Sequence, residues 1–233
     1  MVVFEITGVG SVIEQEIYPP LELDEKKNYV IAVLSLVTYN SIPNIYEGRN
    51  KFYWEEEDGG NVMDTTIPTG SYELVGINKY LRSILGTKIA IFADTSTLQT
   101  VIHSEVVVDF EKPNSIGPLL GFGKRKVPVG STASDYPVNI LNVNTVSVEC
   151  NVASGSYKNG KPSRAIYQLV IDVPAGYKII SYPQNIIYFP IKRRFIDRLS
   201  IKLTDQDGKL VNFRGESVTV RLQIKQEGNE DHL

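Results

Sequence analysis

The sequence predicts an all-β fold, and three observations carry that expectation. First, the 233 residues hold 25 Val and 24 Ile against 7 Ala, with 13 Tyr and 8 Phe. Branched and aromatic side chains suit a pleated, half-buried surface, whereas an Ala-poor composition does not suit a helical bundle. Second, apolar runs of strand length recur along the chain with Gly, Pro, Asn and Asp between them. Third, 42% hydrophobic and 22% charged residues supply a core without the composition of a disordered chain. No fixed-period repeat and no composition shift marks a linker, so one domain over 1–233 is expected, its polar tail frayed from about 226.

The elements follow in order. Val2–Thr7 opens as a strand that Gly8 to Gly10 break, and Ser11–Tyr18 alternates as a second, stopped by Pro19-Pro20. Asn28–Thr38 has the apolar density of a central strand and ends at the loop Tyr39 to Asn44. Lys51–Trp54 and Asn61–Ile67 flank an acidic hairpin tip, Glu55 to Asp58, with the turn signal Asp58-Gly59. Further strands are expected at Lys88–Ala93, Leu98–Phe110, Val138–Ala153, Ser163–Val173, Lys178–Tyr182, Asn185–Ile191, Leu199–Thr204 and Ser217–Lys225. Asp207-Gly208 turns the last hairpin.

One segment has helical spacing. Leu74, Ile77, Leu81, Ile84 and Leu85 recur on one face, with Ser71 as the expected cap, Glu73 in the first turn and Gly86 as the stop. This amphipathic helix, about 71–85, must lie on a sheet. A short helical turn is expected at about 115–120. Eight or more strands with so little helix describe a jelly-roll β-sandwich.

Composition also bounds function. A net charge of −3 disfavours a dedicated nucleic-acid binder. One cysteine excludes an intrachain disulfide framework, and two histidines leave little for a Cys/His zinc cluster. Glu5, Glu14 and Glu16 interrupt what would be the apolar core of a signal peptide. The apolar stretch Tyr29 to Val37 is too short for a membrane span. Asn40, Asn114 and Asn144 each have Ser or Thr one place too early for a glycosylation sequon. Synthesis in a reducing compartment is expected.

Chemistry-bearing residues are sparse. His103 sits mid-strand in Thr100 to Glu105 and reads as a partly exposed strand residue, and His232 lies in the tail, so no histidine base for a Ser or Cys nucleophile is assigned. Cys150 alternates as an inward-facing strand residue. Gly121 to Lys126 (GFGKRK) lacks the four-residue spacer and the Lys-Ser/Thr pair of a phosphate loop, and reads as a basic surface loop. A sharper reading pairs it with Lys192-Arg193-Arg194 as a local contact for nucleic acid or an acidic partner, but three adjacent charges on a strand point to both faces and form one patch only if the segment is a loop. Asp205 to Gly208 starts like a calcium loop, with Glu216 at position twelve, but its flanks read as strands, so a turn is expected. No catalytic, cofactor-binding or metal-binding residue is assigned, and no enzyme activity or cofactor is expected.

Several strings in order carry a resemblance: Thr38 to Asn44 (TYNSIPN), Gly70 to Leu74 (GSYEL), and Lys112 to Gly117 (KPNSIG) leading into Leu120-Gly121-Phe122. Pro137 to Ile140 (PVNI), Val148 to Val152 (VECNV), Ile186 to Tyr188, Leu203 to Gly208 (LTDQDG) and Phe213 to Glu216 (FRGE) follow. Together they resemble the minor capsid, penton-type proteins of Polinton (Maverick) elements and adintoviruses, over roughly positions 30 to 225.

The resemblance implies a structural virion protein: a single jelly roll, five copies of which close an icosahedral vertex among double jelly-roll major capsid proteins. The implied partners are the chain itself, as a homopentamer, and that major capsid protein; neither a membrane nor nucleic acid is directly expected. The implied location is the virion capsid, after synthesis inside the host cell. The helix is expected to cover one sheet edge or face. The Gly155–Pro162 loop, with Tyr157 and the turn Asn159-Gly160, is a candidate contact element. The alternative is a β-sandwich attachment or ligand-binding module, a lectin-like or cytokine-like trimer.

Overall fold

The computed structural model describes residues 1–228. In chain order the elements are β1 (Val2–Val9), β2 (Val12–Glu22), β3 (Tyr29–Tyr39), β4 (Lys51–Glu55), β5 (Val62–Thr66), α1 (Leu74–Leu85), β6 (Ile89–Asp94), β7 (Gln99–Ser104), β8 (Val107–Asp109) and β9 (Lys126–Val127). They continue with β10 (Gly130–Pro137), β11 (Thr145–Cys150), β12 (Ser156–Lys158), β13 (Lys161–Ser163), β14 (Ala165–Val170), β15 (Lys178–Ser181), β16 (Phe189–Ile191), β17 (Phe195–Thr204) and β18 (Ser217–Gln226). The fold is the all-β jelly-roll type with one α-helix among the described residues. Its contacts cluster into two compact units: residues 1–42 with 143 onward, and residues 43–142.

The first unit is a sandwich of two antiparallel sheets, ordered β1-β18-β3-β15, with β16 also on β3, and β14-β11-β17-β2. Their inner faces share one core: Ile31, Val33 and Leu222 from one sheet meet Val148, Ile201 and Leu203 from the other. β3 is central and almost wholly buried, as its apolar run demands. β2 corrects the expected stop, because it runs through Pro19-Pro20 to Glu22. Proline removes a ladder donor, which an edge strand tolerates on its outer side, and the β2–β17 register shifts across this stretch. β1 likewise continues through Gly8 to Val9. At the other end of the chain, β18 includes Gln226, and the Glu227 N–H donates to the Asn28 carbonyl at 2.9 Å. Gln226, where fraying is expected to begin, is thus still in β18, and the tail from 229, with His232, lies outside the described residues.

The second unit has the sheets β10-β7-β6 and β5-β4-β8-β9, with α1 packed on β6. Leu74, Ile77, Leu81 and Leu85 are the buried stripe, whereas Ile84 is exposed, contrary to the spacing argument. The N-cap is Glu73, not Ser71, and it makes no side-chain capping bond. Gly86 at φ 64° ends the helix as expected. The turn at 115–120 is held by Leu119 and Leu120 N–H groups on the Ile116 carbonyl and does not extend into a helix. The expected strand Leu98–Phe110 is two strands, β7 and β8, broken at Glu105-Val106. Only the end of Val138–Ala153 is a strand, β11.

A buried charge pins this unit's acidic hairpin. Glu55 is 2% exposed; its carboxylate accepts from the Lys126 ammonium at 2.8 Å and from the Gly59 N–H at 2.8 Å. The Lys126 hydrogen bond and then the Gly59 amide hold the Glu55 carboxyl below its usual range. A depressed carboxylate adds stability above its unfolded pKa and loses it as pH falls through the folded value. Glu55→Gln is therefore expected to lower the thermal midpoint at pH 7, and the gap to wild type should shrink as the pH falls below about 4.3. Calorimetry at pH 7 and pH 3 checks this, and an equal gap at both values would refute the role of the charge.

Candidate functional site

The first unit has two unlike flanks. On one, the edge strands β1 and β2 meet through the corner at Gly10-Ser11. On the other, the edge strands β14 and β15 leave an open groove of about 830 Å³. Tyr157, Tyr167, Ile180, Tyr182, Ile187 and Phe189 are among its lining residues. Tyr157 is 73% exposed and Tyr182 66%, and exposed aromatics gathered at a concavity mark an interaction surface.

Local chemistry builds each wall. β14 is paired only on its β11 side and β15 only on its β3 side, so each offers unpaired backbone groups outward. The candidate contact loop Gly155–Pro162 is a β-hairpin, β12–β13, turned by Asn159 at φ 51° and Gly160 at φ 75°. Two consecutive positive φ values are what an Asn-Gly hairpin turn supplies, and they set Tyr157 against the groove. The Tyr167 and Ser181 hydroxyls hydrogen-bond at 2.7 Å, linking β14 to β15 across its floor.

The surroundings of this flank are basic. Over residues 156–194 the sequence holds Lys158, Lys161, Arg164, Lys178, Lys192, Arg193 and Arg194, against Asp172 alone. Arg164 and Lys192 line a second hollow of about 580 Å³ beside the hairpin. Arg164, Lys178, Lys192 and Arg193 are exposed and have no carboxylate partner among the described residues. Of the expected triplet, Arg194 turns back instead, donating to the Lys27 carbonyl at 2.6 Å.

The other singled-out residues are not among the residues that line this groove. Lys126 is bound to Glu55 and Asp58, and Arg125 to Asp135 at 3.0 Å while lying over the Phe122 ring, which leaves Lys124 exposed. The expected basic loop is thus largely neutralised within its own unit, and it leads into β9 and β10, which the sequence did not predict. His103 is exposed on β7, stacked on Phe92 at 5.4 Å, with Ser131 Oγ 3.4 Å from Nε2. That serine contact is long, and no carboxylate orients the ring among the described residues. Cys150 is buried, and desolvation pushes its thiol up, opposite to what a nucleophile needs. Asp205 Oδ1 accepts the Asp207 and Lys209 N–H groups at 2.9 Å, so that carboxylate closes the expected turn. Among the described residues no three His, Cys, Asp or Glu side chains converge as metal ligands, and no helix is long and apolar enough to cross a membrane.

The first unit is a jelly-roll-type sandwich with one open, aromatic-lined flank. A specific solved likeness accompanies it. The structure is similar to the crystal structure of the mavirus penton protein, with a TM-score of 0.50 over 97% of this chain and 99% of that one, at 10% sequence identity. No family model matches the sequence, and no curated protein does.

Proposed function

We propose that this chain is a penton-type vertex subunit of an icosahedral capsid, from a Polinton or Maverick-type virus or integrated element. The observation that carries the reading is the likeness to the mavirus penton protein across almost the full length of both chains. The ordered strings from Thr38 to Glu216 support the same assignment. The open flank supports it as well, since a subunit that closes a ring must present two different surfaces to its two neighbours.

In this reading the whole chain acts as one building block. Five copies form the vertex, a double jelly-roll major capsid protein surrounds it, and the virion is its location. The groove and the strand edges then serve packing and not turnover. The test is the solution mass by light scattering coupled to size exclusion. A species near five times 26.0 kDa is expected, and co-assembly with the major capsid protein would extend the result. A stable trimer would overturn the vertex reading in favour of an attachment module.

A further inference from the structure

Charge is segregated between the two flanks of the first unit. Residues 1–25, which make β1 and β2, contain Glu5, Glu14, Glu16, Glu22, Asp24 and Glu25 and no Lys or Arg. Residues 156–191, which make the groove flank, contain Lys158, Lys161, Arg164 and Lys178 against one Asp. A net charge of only −3 for the whole chain conceals this division. The acidic side chains point outward: Glu5, Glu14, Glu16 and Glu22 are all exposed. Their ion pairs within the unit, Glu5 to Arg221 and Glu14 and Glu16 to Arg198, are 3.4 Å or longer on exposed side chains. Such pairs contribute little and leave the carboxylates able to engage other cations.

Between Glu16 and Glu22 stands Tyr18, 96% exposed, on the stretch of β2 where the register with β17 shifts. An edge-strand tyrosine held clear of its own fold, with carboxylates on both sides, matches an aromatic groove that Lys158 and Asp172 line and whose edge strands carry exposed cations, Arg164 just before β14 and Lys178 at the start of β15. The two features lie on opposite flanks of one sandwich, because β1 and β2 end their sheets on one side and β15 and β14 on the other. A contact between them cannot be self-complementary about a two-fold axis. It joins each copy head-to-tail to the next, the arrangement that closes rings.

We propose that the β1–β2 flank of one copy docks into the β14–β15 groove of a second copy, with Tyr18 as the anchor and Glu16 and Glu22 facing Arg164 and Lys178. This rests on the vertex reading for the number of copies, but the contact itself follows from the two flanks. Tyrosine combines a large apolar area with a hydroxyl, which suits it to the centre of such an interface. Charge complementarity at the rim fixes the register and penalises like-flank pairing.

The test compares ring assembly of four full-length chains by light scattering and sedimentation. Glu16→Lys with Glu22→Lys places like charges across the contact, as does Arg164→Glu with Lys178→Glu; each pair is expected to weaken assembly by at least about tenfold. The chain carrying all four changes restores opposite charges and should regain the assembly. Tyr18→Ser should weaken it with little change in salt dependence, whereas the wild-type contact should loosen as ionic strength rises. All these positions are exposed, and unchanged thermal midpoints would show that each variant folds. Wild-type rings that both charge reversals leave intact would overturn this contact and leave the vertex reading standing. A wild type that forms trimers, or stays at 26.0 kDa, would overturn the vertex reading first.

Discussion

Gly121→Ala is expected to destabilise the protein by about 4 kcal/mol or more, among the largest effects a single methyl can have. Gly121 has φ +82°, and a Cβ built there lies 2.2 Å from the Tyr136 carbonyl oxygen and 3.0 Å from that of Pro137. Both obstacles are backbone, so no side chain can swing away. The approach is fixed from the other direction too, because the Asp135 and Tyr136 N–H groups donate to the Gly121 carbonyl at 3.0 and 2.9 Å. Relieving the clash would break the bonds that join this turn to β10. Gly208→Ala is the matched control: its φ is +81°, but nothing lies within 4 Å of the added methyl. Only the left-handed backbone term then applies, about 1–2 kcal/mol. Equilibrium urea unfolding of the two variants reads the difference, and equal losses would mean that the close approach relaxes freely.

How much of this was legible in the sequence depends on whether the signal was local. β3 announced itself, since an eleven-residue strand buried along nearly its whole length must be apolar throughout. The stripe Leu74, Ile77, Leu81 and Leu85 gave the helix and the face it buries. Ile84 fits the same period and is exposed, because periodicity states which residues share a face and not how wide the covering sheet is. β10 was illegible: GSTASDYP has one buried residue, Ser134, and its strand character comes from pairing with β7, whose partners are distant in sequence. The boundaries at 42/43 and 142/143 carry no linker composition, since the second unit enters between β3 and β11 through ordinary loop residues.

The candidate site was half legible. Tyr157 and the Asn159-Gly160 turn were readable as a projecting hairpin, because that turn chemistry is local. The groove was not, because its walls come from β14, β15 and the segment 182–189, and only the sandwich brings them together. One signal could have found it. The acidic run of 1–25 and the basic run of 156–194 are plain in the sequence once charges are summed by segment and not over the whole chain. Reading triplets such as Lys192-Arg193-Arg194 in isolation concealed the pattern that the paired strands reveal.

Phe110→Ala is the second large loss expected, about 3–5 kcal/mol. Phe110 lies 2% exposed at the centre of the second unit, its ring 5.0 Å from Phe122 and 6.1 Å, edge-on, from Phe52. Removing it opens a cavity between two rings that cannot both move in, since Phe52 and Phe122 belong to different segments. The ring also constrains the backbone: a Cβ on Gly117 would lie 2.8 Å from Phe110 Cγ and 2.9 Å from its Cβ and Cδ1. Gly117 cannot retreat easily, because its carbonyl accepts the Phe122 N–H at 2.9 Å and its own N–H donates to Ser115 Oγ at 3.1 Å. Gly117→Ala alone is therefore an overpacking change, costing about 1–3 kcal/mol. The two substitutions should not add. With the Phe110 ring removed, two of the three clashing atoms are gone and the new methyl fills part of the cavity, so the double variant should be more stable than the sum of the singles predicts by about 0.5–3 kcal/mol. A double-mutant cycle in urea measures that coupling. Strict additivity would show that the ring does not crowd the new methyl and merely rests beside Gly117.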